Sequence, residues 1–315
     1  MKLSALNILA CPACKSSLSL TADERDGAEV MVGSLECRGC NSEFPVVRGI
    51  PRFVDADSYA TSFGRQWNWF RTVQLDSQNG TRESERALRA ATGWSVGEYQ
   101  GALVLDAGVG AGRFAECAAR NGAQVFGVDL SAAIDAAFVN IGRLENVHLV
   151  QADIFSMPFR DGAFDLAYSI GVLHHTPNPR AAFDKVSAVV KPGGSLAVYL
   201  YDRHGPNHLF TDFWRRITTR LPLSVMAVLT AAAIPLYYVY RLPLIGKFLH
   251  LIVPISMDPN WRWRWLDTFD WYTPRYQWKF LYPEVFRWFR ENSFRDVEIF
   301  DGPIRMSGVK TCPQE

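Results

Sequence analysis

Between Leu103 and Phe114 the chain reads LVLDAGVGAGRF, and few folds accommodate such a stretch. The apolar run Leu103 to Leu105 predicts a buried parallel strand, Asp106 closes it, and Gly108, Gly110 and Gly112 form a tight turn. Helical spacing begins at Arg113. A backbone without Cβ takes the positive-φ turn and lets a ligand press against its amides, while the following helix aims free N–H groups at an anion. A second apolar strand, 124–128, ends in Asp129, an acid placed to accept hydrogen bonds from both ribose hydroxyls. The ligand implied is nucleotide-like.

The alternation continues downstream. Strands are predicted at 102–106, 124–129, 147–150, 164–169 and 195–201, with helices at 112–121, 131–142 and 179–190. Strand and helix in turn mean a parallel sheet covered on both faces, an α/β fold whose ligands bind at the carboxyl ends of the strands. With 315 residues, 48% of them apolar, the chain can build a large core and more than one unit. A formal charge of +1 gives no bulk attraction to polyanions, which argues against nucleic acid as the partner.

A GxGxG turn by itself also suits dinucleotide oxidoreductases. Here it is followed by Asp129, by QADIFSMPF with Asp153, by FDLAYSIGVLHH and by VKPGGSLAVYLY. This series resembles the class I methyltransferases that use S-adenosylmethionine, over residues 58–201 and 283–312. The resemblance implies a Rossmann-like seven-stranded sheet built from 99–201 and 283–315. It implies that Asp106, Gly108, Gly110 and Gly112 hold the methionine part, Asp129 with Leu130 the ribose, and Asp153 with Ile154 the adenine. Ser169 to Gly171 would line the cofactor mouth. A single carboxylate and an ammonium need amides and an acid, whereas NAD needs a phosphate cradle, so hydride transfer is the weaker reading.

Methyl transfer needs its reactants held in line, and a base only where the acceptor is protonated at neutral pH. His174 and His175, beyond the fourth strand, are the candidate bases, His174 the better placed. The competing reading makes them shape-setting residues. Cys117 reads as core and Cys312 has no partner in sequence.

Cys11 and Cys14 (CPAC) and Cys37 and Cys40 (CRGC), 22 residues apart, have the spacing of a closed, structural four-thiolate zinc site. A redox dithiol is the rival. The segment from CPAC to GIPRF resembles the zinc-ribbon activator subunit that partners tRNA and protein methyltransferases, here within 1–54 of the same chain. That family's role, shielding an apolar methyltransferase surface, implies a stabiliser.

Residues 55–98 read as a helical connector, with helices near 59–70 and 82–91. Phe63, Trp67 and Phe70 share one face of the first, which either packs on the next domain or forms a lid that brings Arg65, Gln66 or Trp67 to the ligand.

Between Asp202 and Tyr282 lies an α-helical insertion of 81 residues, the place where substrate choice should reside. Leu221 to Tyr240 holds 20 residues without a charge, yet Pro222, Pro235 and Pro243 should cut it into short pieces. Three readings stay open for 221–255: a cap over the site, a peripheral membrane contact aided by Arg215, Arg216, Arg220 and Arg241, and a transmembrane pair. In NWRWRWLDTFDWYTPRYQWKF, aromatic and basic residues interleave, as for stacked bases, a headgroup belt or an aromatic pocket. FDWYTPRYQW resembles a segment of small-molecule methyltransferases, which makes Asp270, Tyr272, Arg275 and Tyr276, with Trp67, the acceptor-pocket candidates.

The sequence therefore reads as a zinc-ribbon-fused, S-adenosylmethionine-dependent methyltransferase acting on a small, apolar or aromatic metabolite. Its rivals are an RNA methyltransferase and a non-catalytic cofactor-binding scaffold. The N-terminus is too short in apolar residues for a secretory signal, so a cytoplasmic location is the expectation, with membrane association through 221–255 its variant.

Overall fold

A computed structural model of the chain describes residues 1–54, 61–204 and 208–312. The first two positions of the connector helix expected at 59–70 lie outside the described residues. Strands β1 (Leu18–Asp26), β2 (Glu29–Cys37), β3 (Glu43–Val47) and β4 (Ile50–Pro51) form an antiparallel ribbon in that order. Helices α1 (Thr61–Trp69), α2 (Asp76–Asn79), α3 (Glu83–Thr92) and α4 (Val96–Tyr99) connect it to the main sheet.

That sheet contains β5 (Leu103–Ala107), β6 (Gln124–Asp129), β7 (Val147–Gln151), β8 (Phe164–Ile170), β9 (Val190–Tyr199), β10 (Phe294–Phe300) and β11 (Arg305–Lys310). Their order is β10-β11-β9-β8-β5-β6-β7. Pairing is parallel throughout except for β11, which runs against both β9 and β10. Helices α5 (Arg113–Arg120), α6 (Ala133–Ile141), α7 (Pro179–Ala188) and, after the insertion, α13 (Tyr282–Glu291) cover its faces. The chain reverses direction across the sheet between β5 and β8, and the crevice there, at the carboxyl ends, is where this architecture binds ligands. The fifth expected strand starts at Val190 rather than at 195: Val190 pairs with Phe164 ahead of a register shift, so VKPGG joins the sheet instead of forming a loop.

The ribbon is welded to this sheet. Arg52 bridges Gln151 in parallel register, extending the β7 edge, and its guanidinium donates to Gln151 Oε1 at 2.6 Å and Asp135 Oδ1 at 2.7 Å. Lys15 Nζ donates to the carbonyls of Met157 (2.9 Å) and Phe159 (3.1 Å). Leu9 and Leu35 of the ribbon share one apolar core with Phe126 and Phe159. An open sheet edge is a template for unwanted pairing, and here the chain covers its own.

The insertion consists of α8 (His208–Thr218), α9 (Leu223–Ala231), α10 (Ala233–Tyr240), α11 (Ile245–Ile252) and α12 (Trp261–Tyr272). Pro222 and Pro243 stand at breaks, as expected, while Pro235 does not cut the helix. Pro222 caps α9 and Pro235 sits in the first turn of α10, where a missing N–H costs only the bond to the residue four back. Ala232 between the two helices keeps helical angles, so Leu223–Tyr240 runs as one 18-residue helix with a dent. The real break comes at Leu244, after Pro243, with φ of 67°.

Candidate functional site

A cavity of about 420 Å³ opens at the carboxyl ends of β5, β6, β8 and β9. One end is the glycine turn. Gly108, Gly110 and Gly112 have φ of 98°, 53° and 94°, and a Cβ on Gly108 would stand 2.3 Å from Val172 Cγ2. At Gly110 a Cβ would come within 3.2 Å of the Trp67 indole, which therefore lies over the turn. The Gly110 amide donates to Asp129 Oδ2 at 3.0 Å. Ser131 donates to Oδ1 of the same carboxylate through its amide (2.8 Å) and its hydroxyl (2.7 Å). Burial pushes the Asp129 carboxyl above its usual range, against the pull of the Ser131 and Gly110 hydrogen bonds. Asp106 sits behind the turn, buried, accepting from Tyr168 Oη at 3.0 Å, and burial pushes it up to about 7.

The other end is walled by α1, α12 and the end of β9. Asp267 and Asp270, one turn apart on α12, both line the cavity. Burial and the neighbouring Asp270 push Asp267 up to about 7, while the Ser256 hydroxyl at 3.2 Å and the charge of Arg113 oppose the shift. Asp270 accepts from Gln66 Nε2 at 3.3 Å and lies 3.5 Å from Tyr201 Oη. Trp67, Trp263 and Trp271 make this end largely aromatic.

His175 also lines the cavity. Its Nδ1 is 2.8 Å from the Tyr276 carbonyl, which can only accept, so Nδ1 carries the hydrogen and Nε2 keeps a lone pair. Burial lowers its pKa, so the ring is neutral at pH 7. His174 lies behind it, fully buried and stacked on Tyr201 with ring centroids 4.0 Å apart, and neither ring nitrogen has a partner among the described residues.

Away from the cavity, the sulfurs of Cys11, Cys14, Cys37 and Cys40 all lie within 4.8 Å of one another. Cys11 and Cys40 are 3.6 Å apart and Cys14 and Cys37 3.4 Å. A tetrahedral shell with metal–sulfur bonds of about 2.3 Å places its sulfurs about 3.8 Å apart, so the cluster fits zinc. The two knuckles repeat each other. Lys15 and Asn41, each following the second cysteine, have φ of 61° and 59°, and their amides return to Cys11 and Cys37 at 2.9 and 3.0 Å.

Residues 105–198 match the family model described as a methyltransferase domain, and residues 2–49 match the Trm112p-like protein model. A methyltransferase domain follows a Trm112p-like domain in this chain. Among curated proteins, a ubiquinone biosynthesis O-methyltransferase of Xanthomonas campestris is 34% identical over 158 residues, 48% of this chain and 62% of the relative. A sterol 24-C-methyltransferase of Saccharomyces cerevisiae is 31% identical over 168 residues, 49% of this chain and 43% of the relative. The chain spans about half the length of the curated relatives it matches. Among solved structures, an S-adenosylmethionine-dependent methyltransferase from Mesorhizobium loti is 30% identical, covering 37% of this chain and 53% of that one, with a TM-score of 0.33.

Within the methyltransferase domain, Gly108, Gly110, Asp129, Leu130, Ile154 and Gly171 meet at the cavity. Asp106, Gly112, Asp153 and Ser169 do not line it. Gly112 is packed under Ile141, with a Cβ there standing 2.6 Å from Ile141 Cδ1. Asp153 caps the turn after β7, accepting from the Phe155 amide at 3.0 Å, and leaves Ala152 and Ile154 to face the cavity. Ser169, expected at the cofactor mouth, is fully buried and donates to the Ala107 carbonyl at 2.8 Å, because side chains alternate along β8 and its turn falls inward.

Of the acceptor candidates, Trp67 and Asp270 reach the cavity. Tyr272, Arg275 and Tyr276 do not line it. Tyr272 is buried and donates to the Pro254 carbonyl at 2.7 Å, Arg275 is exposed, and Tyr276 meets the site through its backbone, as the acceptor for His175. The preference for His174 over His175 is reversed for the same kind of reason: His175 has the cavity and His174 the core. Helix α1 is placed for either reading. It packs on α6, with Asn68 donating to the Ala132 carbonyl at 2.9 Å, and it brings Gln66 and Trp67, not Arg65, to the cavity. Sequence reasoning missed Asp267, Tyr199 and Tyr201. The last two had a signal, alternate positions at the end of an apolar strand; Asp267 had its three-residue spacing from Asp270.

Proposed function

We propose that the protein transfers a methyl group from S-adenosylmethionine to a small, apolar or aromatic acceptor held between the glycine turn and α12. The observation that carries this reading is the continuity of one cavity from Gly110 and Asp129 to Asp270 and His175. The residues suit the cofactor: a turn that side chains would fill, an acid beside it for ribose hydroxyls, and the apolar Ile154 for a base. Bound S-adenosylmethionine supplies a methyl group on a sulfonium, ready for in-line displacement. The chain's own contribution is positional and electrostatic. Trp67 covers the turn and keeps water out, Asp129 fixes orientation, and Asp267 and Asp270 anchor the acceptor's polar group.

Where that group is a hydroxyl, His175 Nε2 takes its proton, since Nδ1 is committed to Tyr276. Relatives named for ubiquinone biosynthesis and for sterol methylation support a small-molecule acceptor of apolar character. The Trp/Arg stretch lends the RNA alternative little: Arg264 is buried and donates to the Asp258 carbonyl, and Trp265 donates to the Ala227 carbonyl. Incubation with methyl-labelled cofactor and, in parallel, a solvent-extracted metabolite pool or total RNA tests the reading. Protein-dependent label in the organic phase is the expected result, and label confined to RNA would contradict it.

A further inference from the structure

The 18-residue helix Leu223–Tyr240 is only 22% buried, although its sequence is apolar all round. Its inner stripe, Met226, Thr230, Ala233 and Tyr240, is buried in the insertion. Its outer stripe, at the same helical spacing, is Val225, Val228, Leu229 and Val239, with Val228 74% exposed. The stripe continues past the chain reversal as Leu244, Ile245, Phe248 and Leu251, with Leu244 81% and Phe248 63% exposed. So much contiguous apolar surface marks an interaction site.

The surrounding charges say which kind. Between Asp212 and Asp258 the chain has no acidic residue, while Arg216, Arg220, Arg241 and Lys247 are all exposed. A second copy of the chain docked here about a twofold axis would bring these cations against their own images with no acid to pair them. A surface of lipid phosphates has no such conflict. A spanning helix is disfavoured by what holds the inner side: Trp265 of α12 donates to the Ala227 carbonyl at 3.1 Å, and the Arg264 guanidinium sits 3.9 Å over the Tyr237 ring.

We propose that α9 to α11 dock the protein on an anionic phospholipid surface, with the outer stripes entering the headgroup–acyl boundary and the four cations meeting lipid phosphates. Of these, α9 and α10 pack on α12, whose Asp267 and Asp270 line the cavity, so α12 lies between the docked helices and the acceptor site. The inference stands whether or not methyl transfer is the activity.

Flotation of the full chain with vesicles tests it. Binding should be at least tenfold stronger to phosphatidylcholine containing about 30 mol% phosphatidylglycerol than to phosphatidylcholine alone, and should fall by more than about fivefold for each cation reversed in Arg220→Glu and Arg241→Glu. The double variant Leu244→Glu, Phe248→Glu should abolish flotation, with thermal unfolding and zinc content unchanged because both side chains are already in water. No flotation of the native chain, or flotation indifferent to both sets of variants, would overturn the proposal. So would a dimer in sedimentation that the Leu244→Glu, Phe248→Glu variant dissociates, in a chain that binds neither vesicle.

Discussion

The Gly110 amide and the Asp129 carboxylate, 19 positions apart in sequence, are joined by a 3.0 Å hydrogen bond across the carboxyl ends of β5 and β6. The bond ties the glycine turn to the acid beside it, so under the proposed function the turn is held in shape by the group that would receive the cofactor's ribose. Ser131 fills the other carboxylate oxygen. Such preorganisation lowers the ordering cost of binding.

Gly110→Ala should test the cover over that turn. The new methyl group must sit in a positive-φ backbone and meet the Trp67 ring at 3.2 Å, so it moves the indole rather than the sheet. Folding stability should fall by only about 1 kcal/mol, while cofactor affinity falls roughly tenfold. Equilibrium denaturation and a binding titration separate the two effects.

Metal removal should reach beyond the ribbon. Leu9 and Leu35 share their core with Phe126 and Phe159, so loss of the four-sulfur clamp loosens the β7 side of the main sheet. Elemental analysis should find one zinc per chain, and chelation or Cys37→Ser should lower the melting temperature of the whole protein in a single transition. An early ribbon transition with the sheet unaffected would contradict the weld.

Acid should weaken the fold through His148. Burial, with Lys2 and the amino terminus nearby, lowers its pKa from 6.5 to about 4, and its ring stacks on Phe126 at 4.5 Å. The folded chain holds the ring neutral while the unfolded chain protonates it below 6.5. This contribution is therefore complete above pH 6.5 and is lost as pH falls from 6.5 toward 4, by up to about 3 kcal/mol. His148→Phe should flatten the slope of unfolding free energy in that window.

Asp267→Asn should affect the acceptor and leave the cofactor alone. The carboxyl is near neutrality because of burial and Asp270, and it lies on the α12 wall, away from the turn. Acceptor kcat/KM should drop at least about tenfold, with cofactor affinity within roughly twofold, as expected for replacement of a partly buried hydrogen-bonding carboxyl. A change confined to cofactor binding would move Asp267 to the other end of the cavity.

The strand ends were legible because glycine and acid punctuate apolar runs there: Gly108, Gly110, Asp129 and Gly171 reach the cavity. The two-residue periodicity of β8 puts Ser169 in the core, where its hydroxyl donates to the Ala107 carbonyl. The insertion resisted reading for a physical reason. A helix apolar on every face, such as Leu223–Tyr240, has no stripe to mark its inner side, and a proline in a first turn does not break it. Asp267 had only its spacing from Asp270 to mark it, because its electrostatic state depends on burial and on the charge of Arg113, a residue more than 150 positions away.

Calorimetric titration with S-adenosylmethionine, on the native chain and on Asp129→Ala, bears most directly on the account. Removing a partly buried carboxylate that engages ribose hydroxyls should cost about 1.5–3 kcal/mol. One site per chain and an affinity at least about tenfold weaker in the variant are the predicted results. No binding by the native chain, or equal affinity in the two proteins, would contradict the assignment of the glycine turn and Asp129 as the cofactor site.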